Sequence, residues 1–233
     1  MTRPTLILLP GMPLDAAMWE HQRRHLAAAA AIIVPDLTGA ETIAALADGV
    51  LAAAPDRFAL AGLSMGGYVA MEIMRRAPDR VTRLALMDTN PFPDTAEQTA
   101  NRRAAVELAR QGKLRQVVAA TMPRMIHPLH MGNQTLVDSI HAQAERVGVE
   151  GYARQQAAII TRADSRPGLP AIACPTLVLC GEADALSSVE VHADMAAAIP
   201  GARFVPVAEA GHMAPMEQPQ AVTALMYDWL VNR

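Results

Sequence analysis

Six short apolar runs lie towards the two ends of the chain: Thr5–Leu9, Ile32–Pro35, Phe58–Ala61, Leu84–Met87, Thr176–Cys180 and Phe204–Val207. Most are unbroken rather than alternating, the pattern of strands buried on both faces. Between them, apolar positions recur at helical spacing over Asp15–Ala30, Thr42–Ala53, Gly67–Arg76, Ser188–Ile199 and Pro219–Asn232. Strand alternating with helix predicts a parallel sheet covered on both faces, with right-handed crossovers.

From Pro91 to Leu169 the strand signal disappears. Helical patterns cover Thr95–Gln111, Leu114–Met122, Gln134–Val147 and Gly151–Arg162, punctuated by Pro123, Pro128, Gly132, Gly148 and Pro167. The chain therefore divides into an α/β core, residues 1–90 and 170–233, and an inserted helical cap, residues 91–169. That cap is expected over the carboxyl ends of the strands, where α/β proteins bind ligands.

Composition narrows the classes. With 233 residues, 52% of them hydrophobic and 18% charged, the chain has ample material for a core, which excludes intrinsic disorder. A net charge of −3 gives no basic footprint for nucleic acid. The longest apolar segment, Leu26–Val34, is about half a membrane span, and the run Leu6–Leu9 is too short for a secretion signal. Cys174 and Cys180 flank one strand, which would hold them too far apart for a disulfide. Reduced thiols and a cytoplasmic location are expected. The sequence carries no signal for oligomeric state.

Candidate chemistry begins at Gly62-Leu63-Ser64-Met65-Gly66-Gly67, which follows one strand and opens a helix. This Gly-x-Ser-x-Gly pattern suits a sharp strand–turn–helix elbow that projects Ser64 as a nucleophile, with glycines where side chains would collide. Asp184, in Gly181-Glu182-Ala183-Asp184, and His212, in Glu209-Ala210-Gly211-His212, each follow a later strand. The order Ser64, Asp184, His212 is that of a nucleophile, acid and base converging at one end of a sheet. Asp88, just past Leu84–Met87, is the rival acid. Glu182 reads as a solvated turn residue, and Asp36 is assigned no chemistry. After the first strand, Pro10-Gly11-Met12-Pro13 is placed to supply an oxyanion-binding amide from Met12, beside that of Met65; Pro13 has no amide hydrogen to offer. No histidine shows metal-ligand spacing, so neither metal nor cofactor is expected.

These segments, together with Val34-Pro35-Asp36-Leu37-Thr38-Gly39 and Glu217-Gln218-Pro219, resemble the α/β-hydrolase superfamily over nearly the whole chain. The likeness is to its small, capped, cofactor-free members, which include esterases, carrier-protein methyl esterases and enol-lactonases. The resemblance implies acyl transfer to water through Ser64, His212 and Asp184 on a small ester, thioester or lactone. Carbon–carbon bond hydrolysis, acyl transfer to another acceptor, and ligand binding without turnover remain alternatives on the same fold. Members usually carry His-Gly where this chain has Pro10-Gly11. Many also begin with an antiparallel hairpin, for which Met1–Pro4 leaves no room. Six parallel strands in the order 2-1-3-4-5-6 are therefore expected, with no antiparallel edge.

The chain has 14 methionines and 8 aromatic residues. Met12, Met65, Met122, Met125 and Met213 fall beside the candidate site, which suggests a flexible pocket for an apolar acyl group. Met216 and Met131 fall nearby, while Met71, Met74, Met87, Met195 and Met226 read as core filling. Arg102, Arg103, Arg124, His127 and His130 read as a solvated cap face, with binding of an acidic acyl tail as the alternative.

Overall fold

A computed structural model describes residues 3–232. Its strands β1 (Thr5–Leu9), β2 (Ala31–Ile33), β3 (Phe58–Leu63), β4 (Val81–Met87), β5 (Thr176–Gly181) and β6 (Arg203–Val207) form one sheet. The order is β2-β1-β3-β4-β5-β6 and every pairing is parallel, as the sequence predicts. The central β3 and β5 are buried along their whole length, whereas the edge strands β2 and β6 are partly exposed.

Residues alternate between two cores. Leu6, Leu8, Ala59, Ala61 and Leu177 face one side of the sheet; Ile7, Leu9, Phe58, Leu60 and Val178 face the other. A period of two with both faces apolar explains why the runs read as unbroken. The helices that cover the sheet are α1 (Glu20–Leu26), α2 (Ile43–Ala53), α3 (Met65–Arg76), α7 (Val189–Ala198), α8 (Ala214–Glu217) and α9 (Pro219–Val231). Side-chain caps begin several of them: Thr42 Oγ1 accepts from Ala45 N, and Ser188 Oγ from Val191 N.

Boundaries shift where tertiary pairing or turn chemistry overrides the local pattern. The helix expected over Asp15–Ala30 opens as a 3-10 turn capped by Asp15 and ends at Leu26, so that Ala31 can pair with Thr5. The strand expected over Ile32–Pro35 stops at Ile33, where its pairing with Ile7 ends. The helix expected from Gly67 starts two residues earlier, directly after Ser64. Pro206 lies within β6, which a proline tolerates at a sheet edge.

Between β4 and β5 the chain forms α4 (Ala96–Leu108), α5 (Leu114–Met125) and α6 (Gln134–Ile160). A capping box at Thr95 and Gln98 starts α4. Gly148, with φ 70°, breaks α6 where the sequence separates two helices. Asp94, before α4, and Arg162, after α6, are ion-paired and nearly inaccessible, which ties the two ends of this segment together. Among the described residues, no helix is long and apolar enough to cross a membrane.

The tightest packing is where α3 meets the sheet. A Cβ on Gly66 would sit 2.3 Å from the carbonyl oxygen of Leu9 in β1, and one on Gly62 2.3 Å from that of Gly66. Gly66→Ala is expected to lower the unfolding free energy by about 3 kcal/mol or more, as overpacking against rigid backbone does. Urea denaturation measures this, and a loss below about 1 kcal/mol would show that α3 and β1 are not in such close contact.

Candidate active site

Ser64 connects β3 directly to α3. Its backbone has φ 51° and ψ −113°, a conformation that costs an L-residue about 1–3 kcal/mol. Several contacts hold it: Ser64 N donates to Met87 O at 3.0 Å, while Ser64 O accepts from Thr89 Oγ1 and Gly67 N, each at 2.9 Å. With α3 starting at the next residue, the side chain stands at the positive end of a helix.

Asp184 lies in the loop after β5. Its Oδ1 accepts from the amides of Leu186 at 2.8 Å and Ser187 at 3.0 Å, leaving Oδ2 to face His212 Nδ1 at 2.8 Å. Burial alone would raise this carboxyl, but facing His212 and accepting these amides outweigh it and hold the group below the ordinary aspartate value. His212, in the loop after β6, then places Nε2 2.9 Å from Ser64 Oγ. Both Asp184 and His212 are buried. A carboxylate that fixes one imidazole nitrogen leaves the other able to accept the serine proton.

The loop carrying His212 is fastened on three sides. Glu217 accepts from Gly211 N at 2.9 Å and Met213 N at 3.1 Å with one oxygen, and from His127 N at 2.7 Å with the other. His212 N donates to Met125 O, at the end of α5, at 2.8 Å. The histidine backbone is therefore joined to the helical segment at two points. Sequence reasoning gave Glu217 no role; its signal was an acidic residue in an otherwise apolar turn, five positions after His212.

Asp88 ends β4 with φ 45° and is fully buried. Its Oδ1 accepts from Gly181 N at 2.8 Å, and its Oδ2 meets no partner. Burial, reinforced by the neighbouring Asp184, pushes this carboxyl well up and favours the neutral acid. Thus two acids stand close together, but it is Asp184 that bonds to His212. His192, another residue the sequence reading passed over, accepts from Thr89 N at 2.8 Å with Nε2 and donates to Ser188 O at 2.9 Å with Nδ1. Burial lowers its pKa, and the neutral ring braces the segment that holds Ser64.

Ser64 and His212 border a cavity of about 310 Å³, closed on one side by Met12 and Pro13 and roofed by α4, α5 and α6. The amides of Met12 and Met65 donate to no protein acceptor among the described residues. Met65 occupies the first position of α3, outside the helical ladder.

Met12 and Met125 border the cavity, but Met65, Met122 and Met213 do not. Their side chains are buried in the two cores, with Met65 on one face of the sheet and Met122 and Met213 on the other. Beside Val117, Val118 and Ile159, the wall carries Arg102, Arg124 and Arg162, together with Asn90, Asn101 and Gln156. It is more polar than a methionine-lined site. Arg103, His127 and His130 lie elsewhere; His130 Nε2 donates to Glu209 O at 2.9 Å. Met71, Met74, Met87, Met195 and Met226 are core residues. Glu182 is exposed, and Asp36 closes a turn by accepting from Thr38 N at 2.9 Å. Cys180 is buried, which pushes its thiol up, and both cysteines are free. Among the described residues, no cluster of three or more His, Cys, Asp or Glu is placed to hold a metal ion.

Comparison with known proteins places this geometry in context. The chain is 27% identical over 246 residues to the pimeloyl-[acyl-carrier protein] methyl ester esterase of Aromatoleum aromaticum, covering 98% of each sequence. Among solved structures, a thermophilic esterase from Thermogutta terrifontis, determined with malate bound, superposes with a TM-score of 0.93 at 36% identity; the match covers 99% of this chain and 90% of that one. The enol-lactonase from Burkholderia xenovorans LB400 gives 0.88 at 27% identity, covering 99% and 92%. The model of the Alpha/beta hydrolase family matches residues 6–225, nearly the full length. By sequence and by structure, the chain belongs to the alpha/beta hydrolase family.

Proposed function

We propose that this protein hydrolyses carboxylic esters through an acyl-enzyme on Ser64. The observation that carries this reading is the unbroken line from Asp184 Oδ2 through His212 to Ser64 Oγ, with separations of 2.8 and 2.9 Å, ending at a cavity. Similarity to proteins named as esterases supports it.

In the resting site, His212 carries its proton on Nδ1, donated to Asp184, so Nε2 accepts from the Ser64 hydroxyl. As Oγ attacks the ester carbonyl carbon, Nε2 takes its proton and Asp184 stabilises the imidazolium. The amides of Met12 and Met65 bind the oxyanion. The proton then passes to the departing alkoxide, leaving the acyl group on Oγ. Water, deprotonated by His212, attacks this second ester and frees Ser64. Lactones present the same carbonyl, and the likeness to an enol-lactonase extends the chemistry to cyclic esters. The helical segment over the cavity serves as the cap that shapes the acyl site.

Native protein is expected to react covalently with a fluorophosphonate probe at Ser64, whereas Ser64→Ala is not labelled. Intact-mass measurement checks this, and an unlabelled native protein sinks the proposal. Asp184→Asn is expected to reduce kcat by about four orders of magnitude, because the amide favours the wrong imidazole tautomer. Asp88→Asn is expected to retain kcat of the wild-type order; loss of turnover in this variant alone would move the acid to Asp88.

Asp88 also leaves a thermodynamic mark. Its folded pKa lies above the unfolded value of 3.8, so over that interval the native state binds more protons than the unfolded chain. Stability therefore falls as pH rises from the unfolded value to the folded one. Asp88→Asn should remove this contribution and flatten the fall. Urea midpoints compared between about pH 4 and 7 test the sign.

A further inference from the structure

The cavity beside Ser64 holds more positive charge than the protein itself neutralises. Arg102, Arg124 and Arg162 border it, and no Asp or Glu does. Two of the three are committed to structure. Arg162 pairs with the buried Asp94 and donates to Phe92 O at 2.7 Å, and its guanidinium stacks over the ring of Tyr68. Arg102 donates to both oxygens of Asp94, at 3.2 and 3.0 Å, and to Gln156 Oε1 at 2.9 Å. One carboxylate thus serves two guanidiniums.

Arg124 differs. It makes no ion pair or side-chain hydrogen bond among the described residues. Its side chain is exposed, but the backbone beside it is anchored. The next residue, Met125, accepts from the backbone of His212 at 2.8 Å, and two residues further His127 N donates to Glu217. The end of α5 is therefore fastened to the loop that carries His212, and Arg124 borders the cavity from that anchored end. A solvated arginine on a free helix would have no such tie to the reacting centre.

We propose that this cavity selects esters whose acyl chain ends in a carboxylate, with Arg124 as the specificity-determining residue that pairs with that group. The assignment rests on the esterase reading and names its substrate class: half-esters of short dicarboxylic acids. Guanidinium and carboxylate match in a two-point fork. A volume of about 310 Å³ is at the small end for ligand cavities, which suits a short acyl chain better than a long one. Tyr152, whose hydroxyl accepts from Gln156 Nε2 at 2.6 Å, keeps its own hydrogen available to the cavity.

The test compares p-nitrophenyl hemiglutarate with the neutral p-nitrophenyl valerate on wild type, Arg124→Gln, Arg124→Lys and Arg103→Gln. Wild type is expected to favour the hemiester in kcat/KM by about tenfold, the worth of one charge-assisted hydrogen bond. Arg124→Gln should abolish that ratio through KM, Arg124→Lys should restore part of it, and added salt should shrink it in wild type. Arg103, exposed on α4 and outside this cavity, should leave the ratio as it is when replaced. A ratio near one in wild type, or an equal ratio in wild type and Arg124→Gln, overturns the assignment. A separate readout needs no turnover: glutarate should raise the melting temperature of Ser64→Ala and fail to do so for the Ser64→Ala/Arg124→Gln pair. Glutarate protection lost with Arg124, in a protein that cleaves neither ester, would retain the anion site and discard the esterase reading. Protection equal in both variants would discard the site.

Discussion

The strained backbone of Ser64 is held where the fold is stiffest. β3 lies between β1 and β4, buried along its length, and α3 begins at the next residue. Relief of the positive φ would require α3 to back away from β1, where Gly66 already lies against Leu9, or β3 to slip against two neighbours at once. Neither moves without losing core contacts on both faces of the sheet. Thr89 closes the remaining side by donating to Ser64 O, and it is itself held by His192 and Ser187. The hydroxyl inherits its position from the most constrained backbone in the protein.

The other two members of the line have no such support. Asp184 and His212 follow β5 and the edge strand β6, and each is fixed by local hydrogen bonds instead. Asp184 uses one oxygen on the amides of its own turn and keeps the other for His212. The His212 loop depends on Glu217, whose burial raises its carboxyl even as three backbone amides favour the ionised form. Asp88, with one amide and an orphaned oxygen, is likewise pushed up by burial, whereas Asp184 is held below the ordinary value. Asp184 and Asp88 thus hold opposite protonation tendencies, because His212 and two amides face Asp184 while Asp88 is buried beside another acid.

Legibility in the sequence followed the range of the interaction concerned. The parallel strands and the loop positions of Ser64, Asp184 and His212 came from local patterns (apolar runs, glycine spacing, a polar residue just past a strand), and the strand order from the resemblance to α/β hydrolases. The chain breaks at Gly112 and Gly148 were likewise local, each glycine taking a positive φ. Roles that depend on partners distant in sequence were not readable. Glu217 meets His127, ninety positions away, and His192 meets Thr89. The residues around Glu217 mark it as unusual, but neither neighbourhood names the distant partner. The cavity wall failed for a related reason. Met65, Met122 and Met213 lie next to the right residues in sequence, but their side chains turn into the core, whereas Arg102 and Arg162 are drawn to the cavity by Asp94.

The join between the end of α5 and the loop of His212 has a consequence for how this protein can diversify. The helices between β4 and β5 look like a detachable module, hung between two strands and free to be exchanged. They are not, because the backbone at Met125 and His127 helps to position the imidazole. Side chains along α4 and α6 can be changed to reshape the chamber without touching that join. The few residues that end α5 are tied to the loop after β6, so a different roof fits this core only if it reproduces that join.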